Sequence, residues 1–548
     1  MAHESRFLGS ARLIAACTLL SRITGLARDI VLNRAFGQNW VQDAFNYGFL
    51  VPNLFRRLFG EGALSAVFIP TFTEVLEKEG RPRAWALLGR VTALLAVILT
   101  AVTLVLELAA LAVHHSAPGG SMRGLQAGLS AVMLPFMVSI CLLALFSSIL
   151  NCLGHFAVPA LMPIVLNLMN MFGVLVVGPM LGTAAETQVY GVAWSVLAAS
   201  VLQLLLIVPV MRSRGVRLEL SLRGDAPQVR QMAGMFLPVV LGQGVLLFSV
   251  FFDAQVCTFL TRGPGDPAAF RLLGAEIAYP MGEGALSAVN NAQRLYQFPL
   301  GVLAISLATA AFPLFSRCAS RGDYGGLRAA LGQSLRVAMF EGLPCAVALV
   351  VLAEPITRLL FEYGRYGPED SARAAAVLKW YALGMPAYCC QHLLLRGFYS
   401  LKDTLTPMWI GCGLVALNAG INLSLVWQPA LREAAFGIGT AVTSTLHVGI
   451  SIWLLRRRLA GRIGGRQFAA SAMKSALAGL AAGAAAWWVQ GRLAGFAVDE
   501  LGRIGGRAAG VFVPLGAAAA AYLGAARAMG MEELGWLLPW RRRGEAAG

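Results

Sequence analysis

From Gly124 to Ala185 the chain carries no Asp, Glu, Lys or Arg. About 20 apolar residues cross the hydrocarbon core of a bilayer, so this window holds two spans. Further charge-free windows run Gln231–Phe252, Leu295–Ser316, Pro407–Leu431 and Ala434–Leu455. In lipid a helix satisfies its own backbone hydrogen bonds, which makes helices the natural reading of such windows. Only 13% of the 548 residues are charged, against about 25% in soluble domains. Mean hydropathy is +0.67. These features exclude an ordinary soluble enzyme and predict an all-α polytopic membrane protein.

The formal charge of +16 does not point to nucleic acid, because its placement follows a membrane rule. Basic residues gather at Lys78, Arg81 and Arg83; at Arg212, Arg214, Arg217 and Arg223; at Arg456–Arg458, Arg462 and Arg466; and at Arg541–Arg543. The stretches His114–Gly124, Gly182–Gln188 and Gln428–Glu433 between them are poor in positive charge. This alternation predicts cytoplasmic basic loops and both termini in the cytoplasm. The N-terminal segment reads as a retained first helix, since it lacks a clean cleavage site. Nine cysteines, mostly in apolar segments and without metal-ligand spacing, read as small packing residues.

Hydropathy and charge punctuation divide the chain into about 14 helices. The first six are expected at 8–34, 43–75 (broken by Pro52 and Pro70), 85–113, 125–153, 158–181 and 189–211. The next six are expected at 232–260, 285–316, 327–361, 371–399, 407–427 and 434–455, and the last two at 468–489 and 508–526. Thr261–Gly284 is read as a Gly/Pro-rich connection. The pattern of six, charged loop, six, charged loop, two predicts an N-lobe at 1–222, a C-lobe at 223–460 and an appended hairpin at 461–548. Paired lobes with a site at their interface are common in secondary transporters.

Against this background the arginines are out of place. Arg22, Arg28, Arg56, Arg57 and Arg294 lie inside or against apolar stretches. A cation near the bilayer centre costs about 2.5–3.5 kcal/mol on insertion scales, so such residues usually face a cavity. Guanidinium forks match phosphate oxygens bidentately, which points to an anionic, phosphorylated cargo. Asp29 is placed to act as counter-ion to Arg28, and Gly25 to permit a bend between Arg22 and Arg28. Arg56 and Arg57 point about 100° apart, so at most one of them is expected to face the cavity centre, the other pairing or snorkelling. Glu61 follows Arg57 at i+4, either as a static ion-pair partner or as a gate that changes partners.

The windows SRITGLARDIVLNRAFG, QDAFNYGFLVPNLFRRLFGEGALSAVFIP, NNAQRLYQFPLGVLAISLATAAFPLFSR and GFYSLKDTLTP together resemble the MurJ/MviN lipid II flippase family. The resemblance implies the multidrug/oligosaccharidyl-lipid/polysaccharide exporter fold, with two six-helix lobes around a central cationic cavity. It also implies two extra helices lining a groove for a polyprenyl tail. By motif match, substrate-binding positions fall on Arg22, Arg28, Asp29, Arg56 and Arg294, and gating positions on Glu61 and Asp43. The implied cargo is undecaprenyl-diphosphate-linked disaccharide-pentapeptide, flipped from the inner to the outer leaflet of the bacterial cytoplasmic membrane. Other cell-wall synthesis proteins are the implied partners. Two departures stand out: the position before Arg294 is often acidic in relatives and is Gln293 here, and Thr261–Gly284 is longer than is usual.

Asp253 lies in an apolar run, and Asn418 and Asn422 share a helix face at i,i+4. One carboxylate with amide oxygens suits a monovalent cation or a proton; an interhelical hydrogen-bond cluster is the other reading. No GxxxxGK[ST] motif encodes an ATP-driven cycle, and no cofactor is expected. An ion gradient or the membrane potential is then the expected driving force. A flippase for another polyprenyl-diphosphate-linked oligosaccharide has the same cavity logic, and a cation-coupled drug exporter would favour acidic residues instead. The topology is directly testable. In a cysteine-free background, Arg214→Cys and Arg458→Cys should resist a membrane-impermeant thiol reagent added to intact cells, and Ser116→Cys should react. Labelling of position 214 or 458 from outside would overturn the assignment.

Overall fold

The computed structural model describes residues 2–60, 63–222, 227–272, 274–493 and 497–537. The chain divides into two compact units, Met1–Ser287 with Tyr363–Tyr366, and Ala288–Glu362 with Gly367–Gly548. Among the described residues ten helices are long and apolar enough to cross a membrane. The protein is a multi-pass helical membrane protein.

In the first unit, α1 (Ala2–Phe36) continues through Gly25 without a break. The expected second helix is three: α2 (Trp40–Gly48), α3 (Leu50–Gly60) and α4 (Ala63–Lys78). Asn39 starts α2 earlier than expected, its side chain accepting from the amides of Val41 and Gln42. Pro52 does not make the break. It sits in the first turn of α3, where a missing N–H costs least, and the interruption falls at Phe49. Then come α5 (Arg81–Ser116), α6 (Met122–Met133), α7 (Phe136–Cys152) and α8 (Ala157–Phe172). A π-helical turn, Gly173–Val177, joins α8 to α9 (Gly178–Leu181), and α10 (Ala185–Ser213) and α11 (Pro227–Phe259) follow.

The stretch expected to be a plain connection holds a hairpin. Strand β1 (Ala269–Leu272) pairs antiparallel with β2 (Ala275–Ala278), with Phe270 opposite Ile277. Phe270 is buried between Phe259 and Tyr279, at 5.3 and 5.1 Å between ring centroids. Gly274 turns the chain at φ +87°. The hairpin base is tied to the start of α6, where the Met122 amide donates to the Pro264 carbonyl (2.9 Å) and Arg123 pairs with Asp266 (3.2 Å).

The second unit begins within α12 (Ala285–Ser320) and continues with α13 (Tyr324–Val351), α14 (Ala353–Phe361), α15 (Pro368–Leu383) and α16 (Met385–Ser400). It ends with α17 (Leu405–Leu425), α18 (Ala434–Arg458), α19 (Gly465–Leu493), α20 (Ala497–Ala528) and α21 (Glu532–Leu537). The buried face of α19 is made of small residues, Ser471, Ser475, Ala478, Gly479, Ala482, Gly483 and Ala486. A Cβ on Gly483 would meet a Val347 methyl at 2.6 Å, so α19 lies close on α13. All nine cysteines are free thiols.

Lipid offers helices little hydrophobic reason to associate, so close packing must supply it. The outward side chains are themselves apolar: Val105 and Leu108 of α5 are each 67% exposed. One close helix–helix approach in the first unit joins the π turn to α10. The Gly178 amide bonds back to the Gly173 carbonyl, five residues away, which brings the two glycines onto one face. Gly191 and Ser195 of α10, spaced four apart, meet that face. A Cβ on Gly191 would lie 2.6 Å from the Gly178 nitrogen, and one on Gly173 would lie 2.7 Å from the Ser195 hydroxyl. Backbone cannot yield as a side chain can. Gly191→Val should therefore destabilise the protein by about 1–3 kcal/mol or prevent its folding. Gly516→Ala, with open space around its Cβ, should be nearly silent. Thermal unfolding in detergent compares the two, and equal stabilities would refute the packing argument.

Candidate functional site

Ser21, Thr24, Gly25 and Arg28 recur at helical spacing and form one polar stripe on α1. That stripe faces Asn167 of α8. The Asn167 amide nitrogen donates to the Ser21 carbonyl (3.2 Å) and the Thr24 hydroxyl (3.1 Å), while its oxygen accepts from Nη1 of Arg28 (3.3 Å). A Cβ on Gly25 would lie 3.5 Å from the same amide nitrogen, so this glycine provides closeness. Arg28 also donates from Nε (3.0 Å) and Nη2 (2.6 Å) to Oδ1 of Asp29. Both side chains are mostly buried, at 15% and 14% exposure. Three of the guanidinium's contacts are thus fixed from two helices, and its charge is balanced by an adjacent carboxylate.

Arg22 lies half-buried six residues before Arg28 on α1. Arg56 is half-buried on α3, where Nε donates to Oδ1 of Asn53, one turn earlier, at 3.0 Å. Arg57 is half-buried on the same helix, and Glu61, read as its pairing or gating residue, lies outside the described residues. Asp43 is fully buried. Its Oδ2 accepts from the Gly284 amide (2.7 Å), and its Oδ1 accepts from the amide (2.7 Å) and hydroxyl (2.6 Å) of Ser287. Asp43 is therefore a carboxylate set on the start of α12, where unsatisfied amides and the helix dipole favour negative charge.

In the second unit Arg294 is exposed on α12. Its neighbour Gln293 donates to the Tyr381 hydroxyl at 3.0 Å, and Tyr296, one turn on, stacks on Tyr381 at 5.0 Å. The neutral residue at 293 thus serves an aromatic contact. Asn418 and Asn422 of α17 are buried against α18, where a Cβ on Gly439 would meet their amide oxygens at 2.7 and 2.1 Å. Asp253 is buried on α11 in the first unit.

Sequence reasoning did not single out Asn167, Asn53 or Tyr381. Asn167 carried a usable signal, since it is one of the few strongly polar side chains in the longest charge-free window. Its pairing with α1 was not visible, because a contact between residues so far apart in the chain leaves no local spacing to read.

The family model described as "Lipid II flippase MurJ" matches residues 32–504. A probable lipid II flippase MurJ of Rhizobium tropici is 32% identical over 451 residues, which cover 81% of this chain and 80% of that protein. The lipid II flippase MurJ of Burkholderia cenocepacia is 30% identical over 456 residues, covering 81% and 83%. A solved lipid II flippase MurJ in an inward closed conformation superposes with a TM-score of 0.73 at 20% identity, covering 94% of this chain and 98% of that one. An inward-facing MATE-family multidrug transporter gives 0.66 at 14% identity, covering 82% and 98%. Those two likenesses establish the shared fold, and the sequence matches go further: this chain belongs to the lipid II flippase MurJ family.

Proposed function

We propose that the protein is a lipid II flippase of the bacterial inner membrane. It moves undecaprenyl-diphosphate-linked disaccharide-pentapeptide from the inner to the outer leaflet, with both termini in the cytoplasm. The observation that carries the reading is Arg28, a mostly buried guanidinium oriented by Asp29 and Asn167. An arginine held this way is positioned before any ligand arrives, and a diphosphate can take over the charge now answered by Asp29. Arg22, Arg56 and Arg294 are the further cations we assign to the cargo. Family membership and the names of the relatives support the cargo.

The protein transports and does not catalyse bond chemistry in this reading. The lobes at 1–222 and 223–460 alternate between inward- and outward-open forms, and the hairpin at 461–548 accommodates the lipid tail. Each charge crossing 100 mV is worth about 2.3 kcal/mol, so membrane potential or an ion gradient can drive the cycle. Asp253 is the residue we assign to a coupling cation or proton, while Asn418 and Asn422 pack against Gly439 of α18 within the second unit.

Arg28→Ala, Arg56→Ala and Arg294→Ala should each abolish flipping at near-normal protein level, since each loses a charge-assisted contact of roughly 1.5–3 kcal/mol. Lysine at the same positions should restore only part of the activity, because a point charge lacks the fork. Asn167→Leu should keep the charge yet impair transport, by freeing Arg28 to swing. Complementation of a flippase-depleted strain by all three alanine variants would sink the anion-site reading. The coupling assignment is separable. Asp253→Asn should blunt the response of flipping to sodium and proton gradients while the protein stays folded, and an unchanged response would leave Asp253 with a structural role alone.

A further inference from the structure

A second cationic feature lies away from these arginines, wholly within the second unit. A cavity of about 540 Å³ opens between α13, the loop after α18, the start of α19 and Trp536 of α21. Three arginines line it: Arg328, Arg336 and Arg462. Their charges are not equally committed. Arg336 donates to Glu533 (2.6 Å) and Glu532 (2.9 Å) and stacks 4.8 Å from the centre of the Trp536 ring, so two carboxylates balance it. Nη1 of Arg328 donates to the carbonyls of Leu459 and Ala460, at 2.8 and 2.9 Å, and thereby closes the end of α18. Its positive charge has no carboxylate partner among the described residues. Arg462 is exposed on the cavity wall and makes no hydrogen bond or ion pair among the described residues.

The backbone adds to this field. Gly464 and Gly465 line the cavity with φ of +67° and +44°, a turn that side chains resist, and α19 starts there. The first-turn amides of Gly465, Gln467 and Phe468 already bond to the carbonyls of Ile463 and Gly464, so this end contributes only the partial positive charge of the helix dipole. The cavity floor is close-packed: a Cβ on Gly332 would lie 3.0 Å from Gly464. Two unbalanced guanidinium charges and a helix start around one polar cavity suit a phosphate.

The source of that phosphate is indicated by the rest of α19. Met473, Leu477, Leu480 and Trp487 are 66%, 54%, 67% and 71% exposed, and their spacing puts them in one strip down the helix. Arg466, seven residues before Met473 and also exposed, heads the same strip beside the cavity. The strip starts about 9 Å along the axis from the cavity at 1.5 Å per residue, a headgroup-to-chain distance. Basic pockets between membrane helices commonly hold anionic headgroups. We propose that this cavity binds the phosphate of an anionic phospholipid, with its acyl chains laid along the outward strip of α19. None of the cavity's residues is a cargo arginine; the acyl strip does lie on the hairpin proposed to accommodate the cargo's lipid tail, so it is the phosphate cavity that defines the site.

The test uses the purified full chain in neutral detergent, with phosphatidylglycerol, phosphatidylcholine or inorganic phosphate added. Native mass spectrometry should show phosphatidylglycerol retained on the wild-type protein in preference to phosphatidylcholine, and thermal unfolding should shift upward with phosphatidylglycerol alone. Arg462→Glu should weaken retention about ten-fold, the size of one lost charge-assisted contact. Its melting temperature without added lipid should match the wild type, since Arg462 holds nothing in place; this control separates a lost site from a lost fold. Arg462→Lys should retain most of the binding. Equal retention by Arg462→Glu and wild type, or no preference over phosphatidylcholine, would overturn the proposal. Stabilisation by inorganic phosphate as large as that by phosphatidylglycerol would overturn the lipid source and leave a soluble-anion site.

Discussion

A guanidinium taken largely out of solvent must find its partners within the protein. Arg28 is only 15% exposed, and a buried polar group left unanswered costs several kcal/mol. The first unit meets this demand at Arg28 with a carboxylate from the next residue and an amide from α8. The same amide also ties down a backbone carbonyl and a hydroxyl of α1, so one side chain both orients the cation and joins two helices. Solvating the charge and assembling the fold are here one set of contacts. This is why the cation tolerates its setting and why its direction is defined.

The remaining assembly follows from the weakness of hydrophobic association in lipid. Exposed Leu and Val on α5 are as comfortable against acyl chains as against protein, so specificity has to come from shape. Glycine and small residues supply it in both units, with Gly191 against the π turn in one and Gly483 against α13 in the other. The π turn matters for a geometric reason. An ordinary α-turn would not bring residues five apart to one face, and Gly173 and Gly178 would present different sides to α10.

Much of this was legible in the residues. Hydropathy and charge punctuation located most of the long helices to within a few positions, but the spans expected at 327–361 and 371–399 each divide in two, at Leu352 and Gly384, and α20 begins well before the expected 508. Arg22 and Arg28 were visible as cations in an apolar setting, and Asp29 beside Arg28 as adjacency. Breaks within spans were read less well. Pro52 suggested one, but the chain interrupts itself at Phe49 and uses the proline to begin the next helix. The hairpin was missed because β1 and β2 are only four residues each and sit among Gly and Pro, which on their own signal turns. Asn167 was missed because its role lies in a contact between distant parts of the chain.

Asp43 has a consequence of a different kind. Its two oxygens accept three hydrogen bonds from Gly284 and Ser287, and all three converge on the first turn of α12. Breaking any one of them leaves a carboxylate that is still buried and one donor short, so the three bonds support one another. One carboxylate thereby fixes where α12 begins, since its first residues cannot unwind without stranding a buried charge.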